Sequence, residues 1–426
     1  MTKCLIIGGG LSGLSAAVSL SKRNISVHLI EASPKLGGRA YSLYYPKQKE
    51  IIDNGQHIMM GCYNYTLDFL RTIGSLDKLN IQKNLDVRLV GRGGTHFRLS
   101  APKISYPINL VTALLRFKAV TLNDRISVIL FFIKLFFTNT AKLEDLSVKN
   151  WLEKNKQSTE TNKCLWEILA IGTLNTTIEK ASAAVFAKVL KEMFLKGNNA
   201  SSIIIPDAGL SQVFCDGTED FLKNRNCKIS LSEKVEKFIV AGNRIVEVVT
   251  NKNSYSEFDY VITTIPHFAL VKLNDFEGDF SNNIEFEYSP ILNIHLWLRD
   301  NPFAEKFYGL IDSKIHWIFN HNAHLSLVTS SADDLINLNM EEILNIVCEE
   351  LEVYFPDFER ELVTDYKIIK EKRATFIPSA EVEVKRRNFS SKIDNLILAG
   401  DWTNTGLPST IESAVKSGVI AASRIT

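Results

Sequence analysis

Three glycines near the start of the chain have the spacing of a phosphate-binding turn. Gly8, Gly10 and Gly13 form Gly-x-Gly-x-x-Gly, and Glu31 follows eighteen residues after the last of them. In such a turn the first glycine allows a tight bend, the second lets a pyrophosphate approach the backbone, and the third lets a helix pack closely on a strand. The glutamate can accept hydrogen bonds from both hydroxyls of a ribose. The spacing therefore predicts a dinucleotide site.

The residues around this motif have the pattern of a strand, a helix and a second strand. Residues 5–7 are a continuous apolar run, which is typical of a parallel strand covered on both faces. Residues 14–20 place apolar side chains on one side of a helix, and residues 27–30 form a strand that leads into Glu31. The glycine motif alone is a weak signal, whereas this order of elements is a strong one. We therefore predict an α/β protein with a Rossmann-like dinucleotide-binding domain.

A second group of residues suited to a cofactor lies near the far end of the chain. The stretch "NLILAGDWTNTGLPSTIESAVKSG", residues 395–418, runs from an apolar strand into Gly400 and Asp401, then into a helix that we expect Pro408 to start. The N-terminus of a helix has unpaired N–H groups and a positive dipole, so it attracts anions and acceptors. Gly37-Gly38-Arg39, shortly after Glu31, adds a cation and flexible backbone beside the expected pyrophosphate.

The glycine motif, the Gly-Gly-Arg segment and the Gly-Asp pair together resemble the FAD domain of the amine oxidase and phytoene desaturase superfamily. The resemblance implies that the cofactor is FAD, that Asp401 lies on its ribityl and phosphate part, and that the last helix points at the isoalloxazine. It also implies that the backbone of Val235 touches the adenine. The residues expected to bind FAD are Gly8, Gly10, Leu11, Ser12, Gly13, Glu31, Ala32, Gly38, Arg39, Gly55, Gln56, Val235, Gly400, Asp401, Thr410 and Ile411.

The overall composition is that of an ordinary globular protein, and it excludes several functions. Of the 426 residues, 45% are hydrophobic and 23% are charged, and the formal net charge is +1. Because there is no basic run, we expect no nucleic-acid partner and a ligand selected by shape and apolar contact. The cysteines include no Cys-x-x-Cys pair, so no metal site is predicted and reduced thiols in the cytoplasm are expected. The first strand follows Met1 almost directly, which argues against a cleaved signal.

The order of these segments predicts two discontinuous domains. Residues 1–95, 205–270 and 385–426 are expected to form the FAD-binding domain. Residues 96–204 and 271–384 are expected to form an α+β substrate domain, which combines a helical insert with a mixed sheet. Apolar residues recur at spacings of three and four through most of the insert, as in amphipathic helices.

Several local patterns predict the elements between the motifs. Residues 241–244 have the composition of a hairpin turn, and residues 91–94 are a glycine-rich turn without the helix and acid of a second nucleotide site. Residues 289–298 alternate Leu and Ile with polar residues, which indicates a strand. Asn339 and Glu342 have the spacing of a helix-capping pair. Without a second nucleotide site, the electrons are expected to come from an external donor.

One long apolar segment, residues 126–137, has two open interpretations. Its twelve residues are too few to cross a bilayer, and Ser127 and Lys134 interrupt them. A buried or tunnel-lining helix is one interpretation. The other is a helix on the membrane surface, with Lys118, Arg125 and Lys134 near the head groups. Residues 104–137 would then make a peripheral contact on the inner face of the membrane.

Four stretches look like one branch of the superfamily, the hydroxysqualene dehydroxylases, also called squalene-associated FAD-dependent desaturases. They are residues 53–74, 172–194, 373–387 and 395–418. The resemblance implies reduction of hydroxysqualene to squalene in squalene or hopanoid synthesis: loss of an allylic hydroxyl leaves a carbocation, which reduced flavin quenches with a hydride. The apolar polyprenyl substrate would lie in a tunnel that excludes water. His57 is the candidate acid, although a flavin-shaping role fits it better.

Two other functions remain open at this point. A carotenoid desaturase of the phytoene type would use the same fold to remove a hydride instead of delivering one. A prenyl-lipid carrier without FAD is a further possibility, but Glu31, Arg39 and Asp401 argue against it. An amine oxidase is disfavoured, because the apolar helical insert does not suit a small polar amine. His267 follows Ile-Pro where Pro-Pro is expected, which leaves its relation to the flavin open.

Overall fold

The computed structural model describes residues 2–273, 280 and 284–426. The β-strands are β1 Lys3–Ile7, β2 Ser26–Ile30, β3 Ser42–Tyr45, β4 Glu50–Asp53, β5 Met59–Met60, β6 Leu79–Ile81, β7 Asp86–Gly91, β8 Thr95–Ser100, β9 Ile203–Pro206, β10 Lys228–Ser230, β11 Val235–Ala241, β12 Arg244–Thr250, β13 Ser254–Tyr255, β14 Tyr260–Thr263, β15 Tyr288–Leu298, β16 Phe307–Leu310, β17 Trp317–Asn320, β18 His324–Ser330, β19 Val363–Phe376 and β20 Leu396–Leu398. The α-helices are α1 Leu11–Ser21, α2 Asn64–Thr72, α3 Ile108–Arg116, α4 Leu122–Phe137, α5 Val148–Lys154, α6 Thr159–Thr161, α7 Glu167–Leu174, α8 Ala183–Phe194, α9 Gly217–Lys223, α10 His267–Leu270, α11 Met340–Tyr354, α12 Ala380–Arg387 and α13 Ile411–Ser423.

A parallel five-stranded sheet brings the two ends of the chain together. Its strand order is β10-β2-β1-β14-β20. Ile6, in the central strand, is fully buried and lies opposite Leu29 and Ile262. Helices α1 and α13 pack closely, since a Cβ added to Gly418 would lie 2.1 Å from the carbonyl oxygen of Ser12. The predicted α/β class with a Rossmann-like domain is confirmed. Residues 8 and 400 follow strands β1 and β20, which lie on either side of β14.

A second, mixed sheet has the strand order β19-β15-β18-β17-β16-β7-β8. The predicted alternation along β15 is confirmed. Leu292, Ile294 and Leu296 are fully buried in the core that this sheet shares with α11, and Asn293 lies on the opposite face with His295 and Trp297. The predicted cap of α11 is confirmed as well, because the Asn339 side chain accepts from the N–H of Glu342 while the Glu342 carboxylate accepts from the N–H of Asn339.

Helices α3 to α8 form the predicted helical part and enclose an aromatic core. The ring of Phe131 on α4 lies 4.7 Å from that of Trp166 and 4.8 Å from that of Trp151. The predicted turns are confirmed at residues 91–94, between β7 and β8, and at residues 241–244, between β11 and β12. Within the part of the chain that the structure describes, every helix is too short or too polar to cross a bilayer.

Candidate active site

A single cavity of about 1040 Å³ runs from the glycine turn of the parallel sheet to the helices of the insert. Of the residues predicted to bind FAD, every one except Gly13 lines this cavity, and so does His57. Residues far apart in sequence, such as Glu31, Val235 and Asp401, therefore face one space. Val235 lies in this wall at the start of β11.

The three glycines of the first turn have different surroundings, and these explain their spacing. Gly8 has φ +106°, a backbone conformation that favours glycine, and its N–H donates to the carbonyl of Ile30 at 2.8 Å. A Cβ on Gly13 would lie 1.9 Å from the carbonyl oxygen of Gly8, so this glycine serves packing between turn and helix. A Cβ on Gly10 would meet only the Cα of Gly38, at 3.8 Å, so the space beside Gly10 is open to a ligand.

The carboxylate of Glu31 holds the glycine turn in place. One oxygen accepts from the N–H of Gly9 at 2.5 Å and the other accepts from the N–H of Ser33 at 2.7 Å. Each carboxylate oxygen can accept a further hydrogen bond. Glu31 can therefore bind a ribose hydroxyl and stabilise the turn at the same time.

Arg39 and Asp401 form an ion pair on one wall of the cavity. The guanidinium of Arg39 donates to Asp401 Oδ1 at 2.5 Å and to the carbonyl of Ala374 at 2.6 Å, while Ser409 donates to the other Asp401 oxygen. Burial alone would raise the pKa of the Asp401 carboxyl, but the charge of Arg39 and these hydrogen bonds outweigh it and lower the pKa. Asp401 is therefore ionised at neutral pH and available as an acceptor.

Helix α13 begins at Ile411, so the prediction that Pro408 starts it was wrong. Thr410 is the N-cap, and its hydroxyl accepts from the N–H of Ser413 at 3.2 Å. In the first turn, the Glu412 carboxylate accepts from the N–H groups of Tyr65 and Thr66, each at 2.9 Å. These contacts join α2 to α13 and fix the end of the helix that faces the cavity.

Arg386 positions the turn that precedes α13, and no motif in the sequence had marked it as a residue of the site. Its side chain is 1% exposed and pairs with Glu383. Its guanidinium also donates to four backbone carbonyls of the turn, those of Asp401, Trp402, Thr403 and Leu407. The arginine thus takes the place of the backbone donors that this irregular segment lacks.

The segment Asn54–His57 lies along the middle of the cavity. The side-chain amide of Asn54 donates to the carbonyl of Arg39 at 2.7 Å, and the carbonyl of Asp53 contacts Nε2 of His295 at 3.0 Å. Burial, together with the charge of Arg39, lowers the pKa of His57 to about 4. The imidazole is therefore neutral near pH 7 and is a poor proton donor, which favours a structural role.

Beyond this segment most of the cavity wall is apolar, and Thr173 and Asn175 are among its few polar residues. It is formed by strands β7 and β8, by helices α3, α4 and α7, and by β17 and β18. The apolar residues that line this end include Leu85, Val87, Leu89, Leu99, Leu110, Leu114, Ile129, Phe132, Leu165, Ile168, Phe194 and Phe319. Such a lining suits a long hydrocarbon and excludes water.

The polar end of the cavity fits FAD. It combines the open space at Gly10, the free backbone N–H groups at the start of α1, which has no side-chain cap, and the charged groups of Arg39, Glu31 and Asp401. Among residues 2–273, 280 and 284–426, no group of His, Cys, Asp and Glu side chains is arranged to hold a metal ion.

Known proteins resemble the chain over its full length. Residues 11–426 match the family described as flavin containing amine oxidoreductase. Hydroxysqualene dehydroxylases from Zymomonas mobilis and Sinorhizobium fredii are each 27% identical over 98% of this chain, which covers 97% and 96% of their lengths. A 15-cis-phytoene desaturase from Synechococcus elongatus is 24% identical over 99% of the chain and 95% of its own length.

Solved structures share the fold at lower identity. An oxidoreductase from Methanosarcina mazei superposes with a TM-score of 0.72 at 16% identity, over 99% of this chain and all of that one. A putative protoporphyrinogen oxidase from Exiguobacterium superposes with a TM-score of 0.69 at 16% identity, over 100% of this chain and 98% of that one.

Proposed function

Because the chain belongs to the family of flavin containing amine oxidoreductases, it is an FAD-dependent oxidoreductase, and we propose that it reduces hydroxysqualene to squalene. The main support for this proposal is that a single cavity contains both the cofactor end and the apolar end. One space joins a polar end that fits FAD to an apolar end lined by hydrocarbon side chains. A polyprenyl lipid that enters the apolar end would lie with one of its carbons against the segment Asn54–His57.

Bound FAD, once reduced, supplies a hydride. The residues of the chain orient the substrate and exclude water. The apolar wall holds the polyprenyl chain, and by excluding water it protects a cationic carbon from attack. Neutral His57 adds no positive charge beside such a centre, which favours its formation. We propose an external donor for the electrons, because the sequence contains one dinucleotide motif.

Different segments of the chain contribute to the cofactor end and to the lipid end of the cavity. We propose that residues 1–95, 205–270 and 385–426 bind FAD and that residues 96–204 and 271–384 bind the lipid. Strand β7 is an exception to the first set, because it pairs with β16 and its residues Val87 and Leu89 line the apolar end. The cofactor-facing groups Glu31, Val235 and Asp401 come from the first set, and α3, α4 and α7 come from the second.

A single turnover without oxygen tests the function. The flavin of the purified holoenzyme is reduced, hydroxysqualene is added, and the return of oxidised-flavin absorbance is followed before the lipid is extracted for mass spectrometry. We expect one squalene per flavin reoxidised. Squalene added instead of hydroxysqualene is the control and should leave the flavin reduced. A holoenzyme whose reduced flavin is not reoxidised by hydroxysqualene would contradict the proposal.

The second candidate is a phytoene-type desaturase, which the match to the Synechococcus elongatus enzyme favours. It would remove a hydride, so the oxidised holoenzyme should then bleach when phytoene is added under anaerobic conditions. A lipid carrier without FAD is disfavoured, because Glu31, Arg39 and Asp401 all face the cavity.

We also propose that residues 104–137 contact the membrane at the open end of the cavity. Apolar side chains are exposed to solvent at residue 104 and along α3 and α4, and Lys134 lies among them. The guanidinium of Arg125 donates to the carbonyls of Leu115 and Val120, which fixes its position at the start of α4. The exposed apolar residues of this surface are Ile104, Ile108, Leu115, Leu122, Ile126, Leu130, Ile133, Phe136 and Phe137.

Replacing two of these residues should weaken vesicle binding. Phe136 and Phe137 are 61% and 79% exposed and also line the cavity. We expect the double variant Phe136→Ser/Phe137→Ser to bind vesicles of phosphatidylcholine and phosphatidylglycerol roughly tenfold more weakly in a co-sedimentation assay. The control is Ile51→Ser on β4, where the side chain is 60% exposed on another surface. Equal loss of binding in both proteins would contradict the proposed contact.

A further inference from the structure

The cavity wall contains a buried amide whose oxygen accepts no hydrogen bond. Asn293 is 3% exposed. Among the described residues that line the cavity, no other side chain has a buried oxygen or nitrogen without a hydrogen-bond partner. A buried polar atom without a partner raises the free energy of the folded protein, and a ligand that supplies the partner recovers that cost. The Asn293 amide is therefore available to form a hydrogen bond with a polar group of a ligand.

The strand neighbours of Asn293 cannot supply this partner. It projects from β15 on the face opposite Leu292, and its cross-strand neighbours are Val328 and Ile369. Ile291, which also lines the cavity, is apolar as well. Two other polar side chains of the cavity are already occupied: the Asn175 amide makes three hydrogen bonds, and the Thr173 hydroxyl donates to the carbonyl of Leu169.

The amide lies beside the segment where the lipid and the cofactor are expected to meet. A Cβ added to Gly55 would be 2.6 Å from Nδ2 and 2.8 Å from Oδ1 of Asn293, so the amide lies directly against the Gly55 backbone. Either assignment of the two amide atoms leaves the same contact. From the same strand, His295 contacts the carbonyl of Asp53 at 3.0 Å and fixes the start of this segment.

We propose that the side-chain amide of Asn293 binds the hydroxyl group of the substrate, an inference that rests on the proposed reduction of hydroxysqualene. Hydroxysqualene and squalene differ in that hydroxyl, and an apolar wall cannot distinguish them. A primary amide can accept a hydrogen bond from the hydroxyl and donate one to its oxygen. A site built to pair with a hydroxyl rejects the analogue without it. The same contact would set the carbon that bears the hydroxyl against Gly55.

The test is the ratio of two dissociation constants, measured on the oxidised holoenzyme from the change in flavin absorbance as each lipid is added in detergent. Wild-type protein should bind hydroxysqualene roughly tenfold more tightly than squalene. Asn293→Leu should bring the ratio to about one while squalene affinity is kept. Thr173→Val is the matched control, since its hydroxyl is bonded within its own helix, and its ratio should equal that of the wild type.

The outcomes separate this inference from the function on which it rests. If wild-type protein turns over hydroxysqualene and Asn293→Leu keeps the preference, the assignment of the amide is wrong and the function stands. If wild-type protein neither turns over nor prefers hydroxysqualene, the function itself fails. Should Asn293→Leu not retain FAD, Asn293→Ala gives the same readout with a smaller side chain, and an unchanged ratio there overturns the assignment.

Discussion

Replacing Arg386 with Leu should destabilise the protein by roughly 3–5 kcal/mol, the usual cost of removing one partner from a buried ion pair. Arg386 is 1% exposed, and its loss leaves the Glu383 carboxylate and four backbone carbonyls without their donor. Those carbonyls belong to the turn that carries Asp401. We therefore expect the variant to lose FAD as well as stability, measured by urea unfolding and by the ratio of flavin to protein absorbance.

The next residue provides a matched control. Arg387 lies on the same helix, α12, and pairs with Glu144 at 2.9 Å, but its side chain is 44% exposed. Exposed pairs contribute at most about 1 kcal/mol, so Arg387→Leu should remain yellow and unfold close to the wild type. Equal losses for both variants would show that α12 itself, rather than the carbonyl contacts of Arg386, supports the turn.

The sequence predicted those parts of the site whose chemistry depends on residue types at fixed spacing. Gly8, Glu31 and Asp401 could be recognised because a phosphate-binding turn, a ribose acceptor and a Gly-Asp pair each have a local pattern. The structure brings these residues to one cavity, because parallel pairing places β1 next to β14 and β14 next to β20.

Other features depend on tertiary contacts that have no local pattern. Arg386 binds carbonyls 15 to 21 residues away, along a segment whose path could not be known from sequence. Asn293 was placed on the correct face of β15, but its unpaired amide becomes visible only when its neighbours are known. At α13, the sequence predicted a start at Pro408 because proline favours the first turn of a helix, but the hydroxyl cap of Thr410 sets the boundary in the structure.

The apolar segment at residues 126–137 forms one helix with a buried face and an exposed face. Val128, Phe131 and Leu135 of α4 are buried in the core, whereas Leu130 and Phe137 are exposed. A helix that is apolar on both sides gives no clear periodicity, so sequence alone could not separate the faces.

Replacing Gly13 with Ala should strongly destabilise the fold and abolish FAD binding. The new Cβ would lie 1.9 Å from the carbonyl oxygen of Gly8, which is backbone and cannot rotate away, so α1 must shift from β1. Overpacking of this kind costs about 3 kcal/mol or more. The shift would also displace the N–H groups of α1 from the pyrophosphate. We expect a colourless protein with a urea midpoint far below that of the wild-type apoprotein.

Gly10→Ala separates the two roles of glycine in this turn. Gly10 has φ −74°, which any residue adopts, and its added Cβ would meet only the Cα of Gly38 at the ordinary distance of 3.8 Å. The apoprotein should therefore unfold within about 0.5 kcal/mol of the wild type. Because the methyl group occupies the space where the pyrophosphate approaches, FAD affinity should fall roughly a hundredfold in a reconstitution titration. A Gly10→Ala protein that binds FAD normally would contradict the placement of the pyrophosphate beside this residue. An unstable Gly10→Ala apoprotein would instead show that Gly10, like Gly13, is needed for packing.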